Sequence, residues 1–204
     1  MGISERKERD KLEMRKNIID AAMHMFTHEG YENASIRKIA DKIEYSPATI
    51  YLYYKDKDEL LYDVQAECFK KLVTIFKKDA SVAEPFTRLG QIFDTYVKFG
   101  LNNPEMYDLM FIMKSPMNNL DDKEIWKNGN EAFEHVVTCV QECIDHQLIK
   151  FDNVWLGAFS VWGMAHGLIS LDIRCRIKVM HMDESQILDA IHASIATYLN
   201  HIKK

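Results

Sequence analysis

Three helix starts crowd into residues 35–57 of this 204-residue chain, and they leave that stretch little freedom of fold. Ser35 is placed to cap a first helix, its hydroxyl accepting a backbone N–H that the opening turn leaves unpaired. Ile36, Ile39, Ala40 and Ile43 then recur at helical spacing, so one face is apolar, while Arg37, Lys38, Asp41 and Lys42 fall on the others. Ser46-Pro47 is a second start, a hydroxyl cap followed by proline where its missing N–H costs nothing. Ile50 and Tyr54, four apart, are expected in the core, and Ala48, Thr49, Tyr51 and Tyr53 point elsewhere. Asp56 with Glu59 three residues on reads as a capping box and opens a third helix. Lys55 and Lys57 flank that start, where exposed N–H groups suit a phosphate. The spacing describes two short helices joined by a tight turn and followed by a long one. It fits an ordinary helical hairpin with a solvated charged face as well as a helix that enters a DNA groove.

Four prolines and eight glycines punctuate the whole chain, and no run of alternating β-branched residues interrupts it, so an all-α protein is expected. Hydrophobic content of 47% and charge of 28% are those of a globular protein. Residues 4–16 are dense in charge, which excludes a secretory leader there. The four cysteines lack the spacing of a small disulfide framework, and a reducing cytoplasmic setting fits. Charge alone does not mark a nucleic-acid binder. Residues 1–60 hold eleven Lys/Arg against twelve Asp/Glu, so their cations have to be segregated onto one face.

A long amphipathic helix is expected from Asp58 to about Lys78. Pro85 opens another, with Leu89, Ile92, Phe93, Tyr96, Val97 and Phe99 at helical spacing, and Asn102-Asn103-Pro104 ends it. Pro104–Met113 is short and very apolar, residues 114–121 read as a loop, and a further helix is expected from about Asp122 to Gln147. Asp152 is placed to cap the next, and 184–201 supplies the last. Val154–Leu171 approaches the length of a membrane span. Gly157, Gly163 and Gly167 suit close packing in a soluble bundle equally well, and no membrane association is expected. His135, Cys139, Cys143 and His146 form one stripe, but it spans roughly 16 Å at about 1.5 Å rise per residue. One ion would reach only two neighbours, so no metal site is expected; a buried or interfacial stripe accounts for them. No nucleophile–base pair, phosphate loop or paired-acid constellation suggests an enzyme, and no cofactor is expected.

Residues 15–62 resemble the N-terminal domain of TetR-type transcriptional regulators. The likeness runs from Ile18, Ile19, Asp20, Ala21, Ala22 and Phe26 through Gly30 and Tyr31 to Ser35–Ala40. It continues from Ser46 to Leu61 without a break in order or spacing. The resemblance implies a helix–turn–helix DNA-binding domain over 1–57, a connecting helix over 58–78 and a ligand-binding and dimerisation domain over 79–204. It implies DNA contacts at Arg37, Pro47, Ala48, Thr49, Tyr51, Tyr53 and Lys57, to which its place at a helix start adds Lys55. Arginine suits a guanine edge, threonine and small apolar groups a thymine methyl, and tyrosine hydroxyls a phosphate. One position departs: where the family favours glycine in the turn this chain has Glu44, at a strain on the order of 1 kcal/mol.

For the remainder, the resemblance implies an unidentified small-molecule effector. Candidate lining residues are Phe93, Tyr96, Met110, Trp126, Phe133, Phe159, Trp162 and His166, although methionine and aromatic residues at such spacing also make ordinary core. Trp162, His166 and Gly167 are similar to the tryptophan–histidine–glycine signature of one subclass of TetR-type C-terminal domains. The family's dimer interface corresponds to the last two helices, with Ile187, Leu188, Ile191, Ile195 and Leu199 along one side of the final one. A homodimer would read two half-sites of double-stranded operator DNA about 34–36 Å apart. The expected activity is a repressor released from a palindromic operator by its effector. The alternative is a helical small-molecule or partner-binding protein with a non-functional helix–turn–helix.

Overall fold

The computed structural model describes residues 2–114 and 127–204. Among them there is no strand, and the chain is helical almost throughout. The helices are α1 (Ile3–His28), α2 (Ile36–Lys42), α3 (Pro47–Tyr51), α4 (Lys57–Asp79), α5 (Pro85–Asn102), α6 (Pro104–Tyr107), α7 (Lys127–Asp145), α8 (Val154–Ile173) and α9 (Glu184–Ile202). A π-helical turn, Asp108–Ile112, follows α6, and a 3₁₀ turn, Ile177–Met180, precedes α9. The residues group into two compact units. The first holds the described residues up to Cys68 together with Glu105–Lys114; the second holds Phe69–Pro104 and Gly129–Lys204. α4 therefore passes from one unit into the other at Cys68–Phe69.

The first unit is built as the caps dictate. The Ser35 hydroxyl accepts from the Lys38 N–H at 3.3 Å, and the Ser46 hydroxyl accepts from the Thr49 N–H at 3.3 Å with Pro47 in the first helical position. Ile39, Ala40 and Ile50 are fully enclosed, with Ile18 and Ala22 of α1 and Leu60, Leu61 and Val64 of α4 around them. Each of these isoleucine, leucine and valine side chains gains about 1.5–3 kcal/mol from burial. Glu44 adopts φ 61°, the left-handed conformation its place in the turn demands. The third start differs from a capping box. The Asp56 carboxylate accepts from the Glu59 N–H at 2.8 Å, but the Glu59 carboxylate accepts from Lys55, one residue before the position a box requires. Residues Glu105–Lys114 join this unit, where the buried Gln65 amide donates to the Leu109 carbonyl at 2.6 Å.

In the second unit α5 packs on α8 and α9. Leu89, Ile92 and Val97 of α5, Val136 and Val140 of α7, Ala158, Val161, Ala165 and Ile169 of α8, and Ile191 and Ile195 of α9 form its core. α8 is capped by Asn153, whose side chain accepts from the Leu156 N–H at 3.0 Å, not by Asp152 as its sequence suggests. Asn and Asp cap about equally well, so neighbouring candidates are separated only by which residue leaves the helix. Gly157 is a close approach: a Cβ there would meet Val140 Cγ1 at 2.8 Å. An antiparallel bridge between Ile149 and Lys203 closes the unit, with the Lys150 N–H donating to Ile202 and the Lys204 N–H to Leu148.

Candidate nucleic-acid interface and ligand region

α2 and α3 bury one side and leave the other to solvent. Ile50 and Tyr54 are inside, as their spacing predicts, while Arg37, Ala48, Tyr51 and Lys55 are exposed and Pro47, Thr49 and Tyr53 are half-buried. The Thr49 hydroxyl shares a hydrogen bond of 3.1 Å with Ser46, which leaves its methyl as the more available group. Two further residues stand out from solvent exposure: Tyr45 in the turn, and Leu52, 81% exposed at the end of α3. Leu52 sits two residues after the buried Ile50 in a helix of little more than one turn, so periodicity alone already turns it outward.

The end of α3 is anchored from beneath. The Tyr54 hydroxyl donates to Asp63 at 2.8 Å, and the Arg15 guanidinium donates to the same carboxylate oxygen at 2.6 and 2.9 Å while lying over the Tyr54 ring. Burial and the Asp63 bond push the Tyr54 hydroxyl's pKa up, so it remains a donor. Lys57 has an internal task. Its ammonium donates to the carbonyls of Tyr31 and Ala34 at 2.8 and 3.0 Å and lies 4.0 Å over the Tyr31 ring, whose hydroxyl donates to Asp58. Lys57 thus holds the α1–α2 connection against the start of α4.

Ion pairs engage several cations of this unit. Lys16 is paired with Asp20, Lys38 with Glu29, Arg6 and Arg9 with Asp10, and Arg15 with Asp63. Among the described residues no ion pair engages the exposed Arg37, Lys42 or Lys55. Arg37 and Lys42 on α2 and Lys55 in the turn into α4 are thus exposed cations of the kind an anionic backbone engages, and Lys7 and Lys11 of α1 stand outside these ion pairs as well.

Of the candidate effector residues, four converge. The Trp162 indole donates to the Tyr96 hydroxyl at 3.1 Å, which lies 3.5 Å from His166 Nδ1, and the Phe133 ring packs 5.6 Å from that of Trp162. Burial lowers the His166 pKa and favours the neutral ring. One turn beyond, the buried Ser170 hydroxyl has no hydrogen-bond partner. Phe93 is buried next to Tyr198, and Phe159 touches Trp162 edge-on but is 66% exposed. Met110 is buried in the first unit, and Trp126 lies outside the described residues. Two clefts of the second unit lie elsewhere. One, of about 400 Å³, runs between the end of α4, α5 and α7 past Phe76, Arg88, Ile92, His135 and Cys139. The other, of about 480 Å³, is lined by Asp79, Asp94, Thr95, Lys98 and Asn102 among others. Neither was marked by the sequence, because their walls combine residues from helices far apart in the chain.

Comparison with known proteins agrees with this geometry. The pattern of bacterial regulatory proteins of the tetR family matches residues 18–64, and that of the tetracyclin repressor-like C-terminal domain matches residues 89–195. An uncharacterised HTH-type transcriptional regulator of Haemophilus influenzae is 26% identical over 142 residues, 69% of this chain and 70% of that one. The HTH-type transcriptional repressor KstR of Mycobacterium tuberculosis is 29% identical over 158 residues, 74% of this chain and 71% of its own. A solved structure of a protein of unknown function from Rhodococcus sp. RHA1 superposes with a TM-score of 0.76 at 17% identity, covering 93% of this chain and 95% of that one. A helix–turn–helix with its free cations exposed, joined to a helical second unit, is thus matched in both parts: the chain belongs to the TetR family and is a DNA-binding transcriptional regulator.

Proposed function

We propose that the chain works as a homodimeric repressor in the cytoplasm. Residues 1–57 bind one half of a palindromic operator, the helix over 58–78 connects, and residues 79–204 pair the subunits and take a small-molecule effector. The observation that carries this is the outer face of α8. Trp155, Leu156 and Phe159 are 63%, 64% and 66% exposed, and a Cβ at Gly163 or Gly167 would meet nothing within 4 Å. An apolar helix face of this size is costly in water and suits a second helical surface. α8 is long and apolar enough to cross a membrane. The open glycines and the small exposed residues Ala193 and Ala196 of α9 favour protein packing instead. On this reading Phe159 belongs to the subunit interface, and Tyr96, Phe133, Trp162 and His166 form the effector site, with Ser170 as a further hydrogen-bonding group.

The KstR relative is a transcriptional repressor, which supports this reading. The effector releases DNA by binding one spacing of the two recognition helices better than the other, which shifts the population between them. The test is a gel shift on the duplex upstream of the protein's own gene, with sedimentation of the same sample. A dimer that binds with a steep loss of affinity on added salt is expected. A monomer, or binding indifferent to salt, would overturn the proposal.

A further inference from the structure

The cysteines of α7 take no part in any of this, yet their surroundings are specific. Cys139 and Cys143 lie one helical turn apart, and both are buried. The Cys139 thiol donates to the Pro85 carbonyl at 3.3 Å, at the start of α5. Cys139 also lines the 400 Å³ cleft, together with Arg88 and Glu142, which form an ion pair. The neighbouring Cys143 thiol, aided by the Arg88 charge, draws the Cys139 thiol below its usual range against the effect of burial. The Cys139 sulfur and burial push Cys143 up. A poised thiol at a cleft, with a cation beside it and a second thiol one helical turn away, is the arrangement of an attacking cysteine and its resolving partner.

We propose that Cys139 and Cys143 form an oxidation site for a small hydroperoxide entering through the α4–α5–α7 cleft, and that the resulting disulfide opens α7. The Cys139 thiolate attacks the terminal peroxide oxygen. The O–O bond breaks, the remaining oxygen leaves as alcohol or water with the thiol's proton, and Cys139 becomes a sulfenic acid. The Cys143 sulfur then attacks the Cys139 sulfur. The S–S bond forms, the S–O bond breaks, and hydroxide leaves as water with the Cys143 proton. The two thiols lose two electrons and the hydroperoxide gains them. Residues four apart on a helix hold their Cβ atoms about 5–6 Å apart, whereas a disulfide requires about 3.5–4.5 Å. The bond therefore shortens a span that regular helix fixes. It also removes the thiol proton that Cys139 lends to Pro85, so α7 loses a tie to α5 at the same moment.

The chemistry is independent of the proposed effector site; only its effect on DNA rests on the repressor reading. The full chain carrying Cys175→Ser, which removes the exposed thiol, is treated with hydrogen peroxide and followed by intact mass, peptide mapping and helical circular dichroism. Loss of two hydrogen masses, a Cys139–Cys143 cross-linked peptide and reduced helicity, all reversed by dithiothreitol, are expected. With Cys143→Ala, oxidation should stop at a sulfenic acid on Cys139 that dimedone captures. Thiols at 139 and 143 that stay reduced while methionines oxidise, or a disulfide formed with helicity unchanged, would overturn the proposal. A gel shift then reads the coupling: operator affinity is expected to fall by about tenfold on oxidation. Equal affinity of both forms rules out the switch. A reduced protein that fails to bind counts against the repressor reading, and the mass and helicity readouts still decide the thiols.

Discussion

Glu44 carries strain in the open. An L-residue in the left-handed region costs about 1–2 kcal/mol, part of which a glycine there would return through the greater freedom it gives the unfolded chain. Glu44→Gly is expected to stabilise the protein by about 0.5–1 kcal/mol, seen as a higher midpoint in urea. Removing a carboxylate beside the recognition helix should also strengthen DNA binding at low salt. Lys57 makes the opposite case. Its two carbonyl bonds mean that Lys57→Ala should cost about 1–3 kcal/mol of stability by removing a donor from each, although the Tyr31 carbonyl keeps the Ala34 N–H. If the ammonium instead served DNA alone, thermal melting would be unchanged and the salt slope would fall by about one. Arg37, exposed and outside any ion pair, has no such structural duty. Arg37→Ala should leave melting unchanged and relax discrimination at one base pair, measured against a panel of operator variants. The turn and its Ser35 and Ser46 caps were legible from sequence because each is decided by residues within a few positions. The commitment of Lys57 to Tyr31 and Ala34 was not, because those carbonyls lie more than twenty residues back in the chain.

At the scale of elements, α8 separates two uses of glycine. Gly157→Ala would drive a Cβ against Val140 and should cost about 1–3 kcal/mol through overpacking. Gly163→Ala meets nothing within the chain, so it should stiffen the helix and leave melting equal or higher. If α8 packs on a second subunit, the same change should weaken the dimer, which sedimentation over a range of concentrations would detect. Sequence marks α8 as apolar all round and cannot divide its faces. Only the positions of α5, α7 and α9 show that Ala158, Val161, Ala165 and Ile169 face inward while Trp155 and Phe159 do not. The same reason explains why only some of the effector candidates lie together. Tyr96 and Trp162 are 66 residues apart, and their meeting is a fact of packing. Aromatic or methionine character alone does not distinguish Phe159 on the outer face, or Met110 in the other unit, from the four that converge.

For the molecule as a whole, acid is the informative stress. Burial lowers the pKa of both His166 and His135, so the folded chain takes up protons less readily than the unfolded one. The stability tied to these rings is complete above the ordinary histidine value of about 6.5 and declines as pH falls through it. The urea midpoint should therefore drop between about pH 7.5 and 5.5, and His166→Gln should make that drop shallower. An unchanged slope would place the buried charge penalty elsewhere. The Ile149–Lys203 bridge has a consequence in time. Lys150 binds residues at the far end of the chain, its ammonium reaching the His201 carbonyl across 51 positions. Contacts of such separation cost loop-closure entropy before they return anything. On the ribosome the first helices and their turn can settle early, but the α7–α8 corner stays unclasped until residues 202–204 emerge. The second unit therefore finishes folding only after residues 202–204 are available, and in that interval its apolar helices remain exposed to mispairing.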